Sequence, residues 1–107
     1  MNFGNIAGLM QKASKIQKSL QELDKNLASE VFEGEAGGGL VKVSISGHLN
    51  IISIDIDDSL LKPEEKGMLA DLIAAACNNA KNKAETAKKE KMQEITGGLP
   101  IPPGLGF

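Results

Sequence analysis

The sequence contains no arginine, tryptophan or tyrosine, although 24% of its 107 residues are charged. All 12 basic residues are lysine, so the planar guanidinium that reads guanine through two hydrogen bonds is missing. The three aromatic residues are all phenylalanine, too few to build a platform on which the bases of RNA or single strands stack. These shortages exclude several modes of base recognition and leave lysines acting as point charges.

Cysteine and histidine each occur once, as Cys77 and His48. A single cysteine excludes a disulfide framework and a cysteine-based zinc site within one chain. Cys77 sits among alanines, which is typical of a small packing residue, and His48 stands alone in a turn without a nucleophile or a paired acid. We therefore expect no catalytic residue, no metal site, no cofactor and no small-molecule substrate, and we predict that the protein is not an enzyme.

Long apolar runs are also lacking. No run approaches the roughly 18 residues of a membrane span, and the N-terminus lacks the basic-then-apolar pattern of a signal peptide. The sequence thus predicts a cytoplasmic protein without a membrane partner. Its length allows one domain.

The net charge of −2 conceals a separation of charges along the chain. Residues 1–28 hold four lysines against two acids, residues 29–66 hold three against eight, and residues 81–91 hold five against two. Two solvated helix faces are the simpler explanation of the basic segments from composition alone. The separation nevertheless permits an electrostatic partner despite the negative total.

Two helices are predicted, over residues 5–28 and 63–95. The first carries an unbroken heptad seam with alternating spacings of three and four, which favours packing against another helix. The second is apolar near its start but carries only a thin alanine stripe further along, which predicts shallow packing between helices. The seam consists of Ile6, Leu9, Ala13, Ile16, Leu20, Leu23 and Leu27, and the stripe of Ala76, Ala80, Ala84 and Ala87.

Three strands are predicted between the helices, over residues 29–35, 41–46 and 52–57, because apolar and polar residues alternate in the last two. These last two should form an antiparallel hairpin. The glycine run 37–39 lacks the Gly-Lys-Ser/Thr ending of a phosphate-binding loop and is expected to form a bend. Residues 97–107 contain four glycines and three prolines, which predicts a flexible tail after a single domain over residues 1–96.

The lengths of these elements suggest an architecture. A 33-residue helix is about 50 Å long, whereas strands of seven residues span about 23 Å, so the second helix must extend beyond the sheet. If the helices are antiparallel, its lysines meet those near the start of the first helix. The small core favours a homodimer. The expected dimer interface comprises Ile16, Leu20, Leu23, Leu27, Val31 and Phe32.

Five segments carry a resemblance to a known family: residues 10–13, 37–43, 54–61, 68–73 and 91–99. Together they resemble, in the same order over nearly the whole chain, the YbaB/EbfC family of bacterial nucleoid-associated proteins. The resemblance implies an α+β subunit of the order α-β-β-β-α, with a small antiparallel sheet and two long helices. It further implies an intertwined homodimer located in the nucleoid, whose projecting helices bind duplex DNA.

Lysines on the two helices are the expected DNA-binding residues, and they would contact phosphates with weak sequence preference and steep salt dependence. The alternative hypothesis is a protein–protein interaction module, in which the heptad seam or the tail binds a protein partner and DNA binding is incidental. A gel shift with unrelated duplexes at two salt concentrations discriminates between them. The DNA-binding set comprises Lys12, Lys15, Lys18, Lys81, Lys83, Lys88, Lys89 and Lys91.

Overall fold

The computed structural model describes residues 3–97, and the predicted order α-β-β-β-α is confirmed. Two short 3-10 turns, Asp58–Leu60 and Pro63–Glu65, lead into the second long helix. Apart from Gly97, the predicted tail lies outside the described residues. The main elements are α1 (Phe3–Ser29), β1 (Val31–Ala36), β2 (Val41–Ser46), β3 (Ile51–Ile56) and α2 (Lys66–Thr96).

The three strands form one antiparallel sheet in the order β1-β2-β3, so the predicted β2–β3 hairpin is confirmed, and β1 pairs with the other side of β2. The glycine run forms the predicted bend between β1 and β2. Its backbone φ values of +66°, +68° and +95° are ones that residues other than glycine rarely adopt. In β3 the predicted alternation is interrupted, because a register shift places Ile51 rather than Ile52 opposite Ile45. Such a bulge locally breaks the two-residue period of a strand.

The core lies between the sheet and α2, which packs on β1 and β2. It contains the apolar side chains that alternate along β2 and the alanines of α2: Val41, Val43, Ile45, Ala76, Ala80 and Ala84. Ala76 and Ala80 meet the sheet at Gly34 of β1. The expectation that the alanine stripe serves a helix–helix contact is therefore wrong for these two alanines, because a glycine in the strand lets the backbone of α2 approach closely.

The heptad seam of α1 is divided in two by the fold. Leu20, Leu23 and Leu27 are buried within the chain itself, whereas Ile6 and Leu9 are exposed. The helix contacts both α2 and β2. The molecule measures 73 × 20 × 20 Å. The N-terminal half of α1 is therefore left largely uncovered, and the C-terminal half completes the core of the subunit.

The connection from β3 to α2 is held by Asp57. Its carboxylate accepts hydrogen bonds from the hydroxyl and the backbone N–H of Ser59, and these two bonds lower the pKa of Asp57. The adjoining turn buries Leu60 against the core. Asp57 thus caps the short 3-10 turn that precedes α2.

Candidate nucleic-acid interface

The predicted DNA-binding lysines lie at the surface of both helices. Those of α1 are all exposed, and Lys88 of α2 is half-buried. Over residues 3–97, neither helix combines the length and apolarity that a membrane crossing requires. The exposed lysines of the predicted set are Lys12, Lys15, Lys18, Lys81, Lys83, Lys89 and Lys91.

The two helices meet at the segment of α2 that carries most of these lysines. Asp24 of α1 and Ala84, Glu85 and Lys88 of α2 line one cavity of about 330 Å³. Lys12 lies 12 residues before Asp24, which corresponds to about three helical turns. The structure thus brings Lys88 of α2 beside the C-terminal part of α1, whereas Lys12 and Lys15 lie in the N-terminal half of α1.

Two of the α2 lysines are engaged within the subunit. The ammonium of Lys83 donates a hydrogen bond to the backbone carbonyl of Glu33 at 2.9 Å. Lys88 is half-buried beside the cavity that Glu85 also lines. Lys81, Lys89 and Lys91 are consequently the more accessible cations of this helix.

A contact that the sequence analysis missed connects His48 with α1. The Nε2 atom of His48 lies 2.9 Å from the backbone carbonyl oxygen of Asp24 and 3.3 Å from its Oδ1 atom. The contact ties the turn between β2 and β3 to the helix. The two residues are 24 positions apart in the sequence, and no local spacing pattern could have paired them.

The face of the sheet opposite α2 carries acidic side chains. Glu35, Lys42 and Asp55 lie side by side on adjacent strands in the face opposite α2, and all three are exposed. Lys42 thus has a carboxylate on each side, and Glu33 adds a further acid to the same face. This sheet face is therefore predominantly acidic, whereas the two long helices together carry ten lysines against six acids.

The predicted interface residues on β1 are placed differently from each other. Val31 is exposed at the start of the strand. Phe32 is half-buried and lines a second cavity, of about 400 Å³, together with Asn79, Lys83 and Thr86 of α2. Within residues 3–97, no group of three or more His, Cys, Asp or Glu side chains is arranged to hold a metal ion.

Comparison with known proteins identifies the family. The model of the YbaB/EbfC DNA-binding family matches residues 1–99. The chain belongs to this family. The resemblance drawn from the sequence is therefore confirmed, and a DNA-binding family agrees with the prediction that the protein is not an enzyme.

Relatives within the YbaB/EbfC family cover almost the whole chain. A nucleoid-associated protein of Bradyrhizobium sp. strain ORS 278 is 48% identical over 103 residues, which are 96% of this chain and 97% of the relative. A nucleoid-associated protein of Bordetella avium is 48% identical over 102 residues, which are 95% of this chain and 94% of the relative.

A solved structure of the same fold is also similar. The crystal structure of the uncharacterized protein HP0035 from Helicobacter pylori matches with a TM-score of 0.71 at 27% identity. The match covers 91% of this chain and 99% of the Helicobacter chain. The fold, a three-stranded sheet that is preceded and followed in the chain by a long helix, is thus shared with a structure solved by experiment.

Proposed function

We propose that the protein is a homodimeric nucleoid-associated protein that binds duplex DNA through contacts between lysines and phosphates. The observation that carries the proposal is the separation of charge in a member of a DNA-binding family: lysines are exposed on the two helices, whereas acids line the sheet face. Phosphates attract the helices, and the acidic face repels DNA. Organisation of the nucleoid or regulation of genes would be the cellular role.

The lysines are proposed to act as point charges on the phosphates. Without arginine the interface lacks the bidentate base contact that gives strong sequence selection. Each phosphate contact should add about −0.9 to the slope of log affinity against log salt concentration. Lys81, Lys89 and Lys91 are expected to carry most of the contribution of α2, because Lys83 and Lys88 are already engaged within the subunit.

The homodimer is supported by apolar surface that the single chain leaves uncovered. Ile51, Ile52 and Ile54 of β3 are 58%, 57% and 42% exposed, and Leu61 and Met68 are also exposed nearby in the chain. Covering such surface is favourable by about 25 cal/mol per Å². A second copy of the chain is the proposed cover.

The residues first expected at the dimer interface fall into two groups, those buried within the subunit and those that remain at its surface. Leu20, Leu23 and Leu27 are buried in the subunit and have little surface to offer a partner. Ile16, Val31 and Phe32 retain exposed or half-exposed surface, and they remain candidates for contact with the second copy.

The DNA-binding proposal is tested by measuring the affinity for unrelated duplexes over a series of salt concentrations. The variant K81Q/K89Q/K91Q should bind all duplexes more weakly and with a flatter salt slope. The control K42Q/K62Q/K66Q removes the same charge from exposed positions outside the lysine segment and should keep the wild-type slope. Equal slopes for both variants would contradict the proposed site, and loss of binding to one sequence alone would contradict a phosphate mechanism.

A protein–protein interaction module is the second candidate function. The exposed seam in the N-terminal half of α1 favours it, because Ile6 and Leu9 are 38% and 59% exposed. The tail, the other segment first considered for such a role, lies beyond the described residues. Absence of DNA binding at low salt, with a dimer that is otherwise intact, would favour this alternative.

A further inference from the structure

The two long helices meet at the same end of the sheet and run antiparallel beyond it. Along α2, Leu72 lies against Gly37 just past the end of β1, whereas Lys83 bonds to the backbone near the start of that strand. α1 reaches the same end of the sheet, because the backbone N–H of Gly47 donates a hydrogen bond to the carbonyl of Leu27 at 2.8 Å. α2 therefore leaves the sheet where α1 arrives, and the two helices contact each other.

α2 ends at the level of residues 13–16 of α1. Asp24 lines one cavity with Glu85 and Lys88 of α2. Thr96, the last residue of α2, lies 11 residues after Glu85 and eight after Lys88. Since both helices rise about 1.5 Å per residue, Thr96 lies level with positions 11 to eight residues before Asp24 on the antiparallel helix. α2 can therefore cover the seam of α1 as far as this level.

The exposure of the seam changes at the same level. Leu20 is 3% exposed and Ile16 is half-buried, whereas Ala13 is exposed, as are Leu9 and Ile6. The seam thus continues with the same apolar spacing past the end of the helix that covers its other half. Removing this apolar surface from water is favourable, so a further segment that reaches it gains free energy by packing there.

The segment of the chain that begins at this point is apolar and uncharged. Gly97 caps α2 with a left-handed φ of +62°, and its backbone N–H bonds to the carbonyl of Gln93. Residues 98–107 contain no charged side chain, although 24% of the residues in the protein are charged. Segments that stay disordered typically have the opposite composition, with many charges and few apolar residues. The apolar members of this segment are Leu99, Ile101, Leu105 and Phe107.

We propose that residues 98–107 pack on the exposed seam of α1 in the same chain, along Ile6, Leu9 and Ala13. A proline-rich segment rises about 3.1 Å per residue, so ten residues reach about 30 Å, whereas the seam from Ala13 to Ile6 is about 10 Å long. Because the segment begins beside the seam, its effective concentration there is far above that of a partner in solution. Residues 98–107 are then an ordered cover of α1 and not the flexible tail that their composition predicts.

This packing leaves the lysines of α1 available for DNA. Successive residues of a helix are about 100° apart, which places Lys15 and Lys18 on the side of α1 away from the seam. Both lysines are exposed, and an uncharged cover does not repel phosphates. The inference requires neither DNA binding nor a dimer, so its failure would leave the proposed function untouched.

Hydrogen exchange of backbone amides tests the packing, because it reports the local opening of a helix. The variant L99S/I101S/L105S should speed exchange at residues 9–13 about tenfold, the effect of uncovering roughly one leucine. The control G98S/G104S/G106S places three serines in the same segment and should exchange like the wild type. Amides of residues 20–27 should be unchanged in both. A variant that exchanges like the wild type, or no faster than the control, would overturn the proposal.

Disulfide trapping decides which chain supplies the segment and which side of α1 it contacts. With C77S removing the native thiol, L9C/I101C should form a disulfide within one chain in most molecules, since the bond requires the two Cα atoms to lie within about 7 Å. Q11C/I101C is the control, because Gln11 lies about 200° around the helix from Leu9 and should give little disulfide. Non-reducing gels measure both yields. Equal yields would overturn the docking, and disulfides between two chains would overturn the assignment to the same chain.

Discussion

Gly34 in β1 lies directly against the backbone of Ala80 in α2, so that a β-carbon added to the glycine would overlap the backbone nitrogen of the alanine. The overlap involves main-chain atoms of a helix, which cannot move aside as a flexible side chain can. Ala76 lies against the same glycine one helical turn earlier, which extends the close contact along the helix. The contact between strand and helix therefore depends on the absence of a side chain at this one position.

Gly34→Ala should consequently destabilise the protein. Overpacking of a core typically costs about 1–3 kcal/mol, and the backbone contact places this variant at the upper end. Gly67→Ala is the control, because a β-carbon there meets no atom within 4 Å. Urea unfolding at one fixed protein concentration measures both, and equal stabilities of the two variants would show that α2 can shift away from the strand.

His48→Ala should loosen the attachment of the β2–β3 turn to α1. Loss of the hydrogen bond to the carbonyl of Asp24 should lower the free energy of unfolding by about 0.5–1.5 kcal/mol. Asp24→Asn keeps that backbone carbonyl and should cost less, because even a charged contact at an exposed surface contributes only about 0–1 kcal/mol. Thermal unfolding would contradict this order if the Asn variant were the less stable of the two.

Asp57 should contribute to stability in a pH-dependent way. Its pKa is lowered from the ordinary value of 3.8, first by the hydroxyl and then by the backbone N–H of Ser59. The carboxylate therefore stabilises the fold above pH 3.8, and this contribution is lost as the pH falls through the lowered pKa. Asp57→Asn should reduce the melting temperature at pH 7, with the difference from wild type shrinking in strong acid. Asp71→Asn, an exposed position on α2, should leave the profile unchanged.

Lys83 and Lys81 should respond differently to the same substitution. Lys83→Gln disturbs the bond to Glu33 and should reduce stability while changing the salt slope of DNA binding little. Lys81→Gln should leave stability within about 0.5 kcal/mol, as is usual at exposed positions. Its effect should be a salt slope flatter by about 0.9 per lost contact. Both variants are measured for the free energy of unfolding and for the salt slope of DNA binding. A flatter slope for Lys83→Gln together with a loss of stability for Lys81→Gln would contradict these roles.

The lysines of α1 should add to DNA binding independently of those on α2. K12Q/K15Q/K18Q removes three exposed charges, and glutamine forms helices well, so the helix should remain intact. The salt slope should become flatter by up to about 2.7, at about 0.9 for each contact. Binding unchanged from wild type, with circular dichroism showing an intact fold, would confine the DNA-binding surface to α2.

The order and the periodicity of the elements were determined by the sequence alone. Alternation along residues 41–46 predicted which face of β2 is buried, and the three-four spacing predicted which residues of α1 share a face. The separation of charges was also readable from the chain. These features are local, because the geometry of a helix or a strand dictates which side chains lie together.

What each face contacts was decided only by the tertiary structure. The same heptad seam of α1 is buried at Leu23 and exposed at Leu9, because the rest of the subunit covers only part of the helix. Lys83 became a partner of Glu33, 50 residues earlier in the chain, because Gly34 lets α2 lie close to the edge of β1. Periodicity specifies the residues that form a face, but the surface that covers it depends on close contacts between distant segments, which local sequence patterns do not encode.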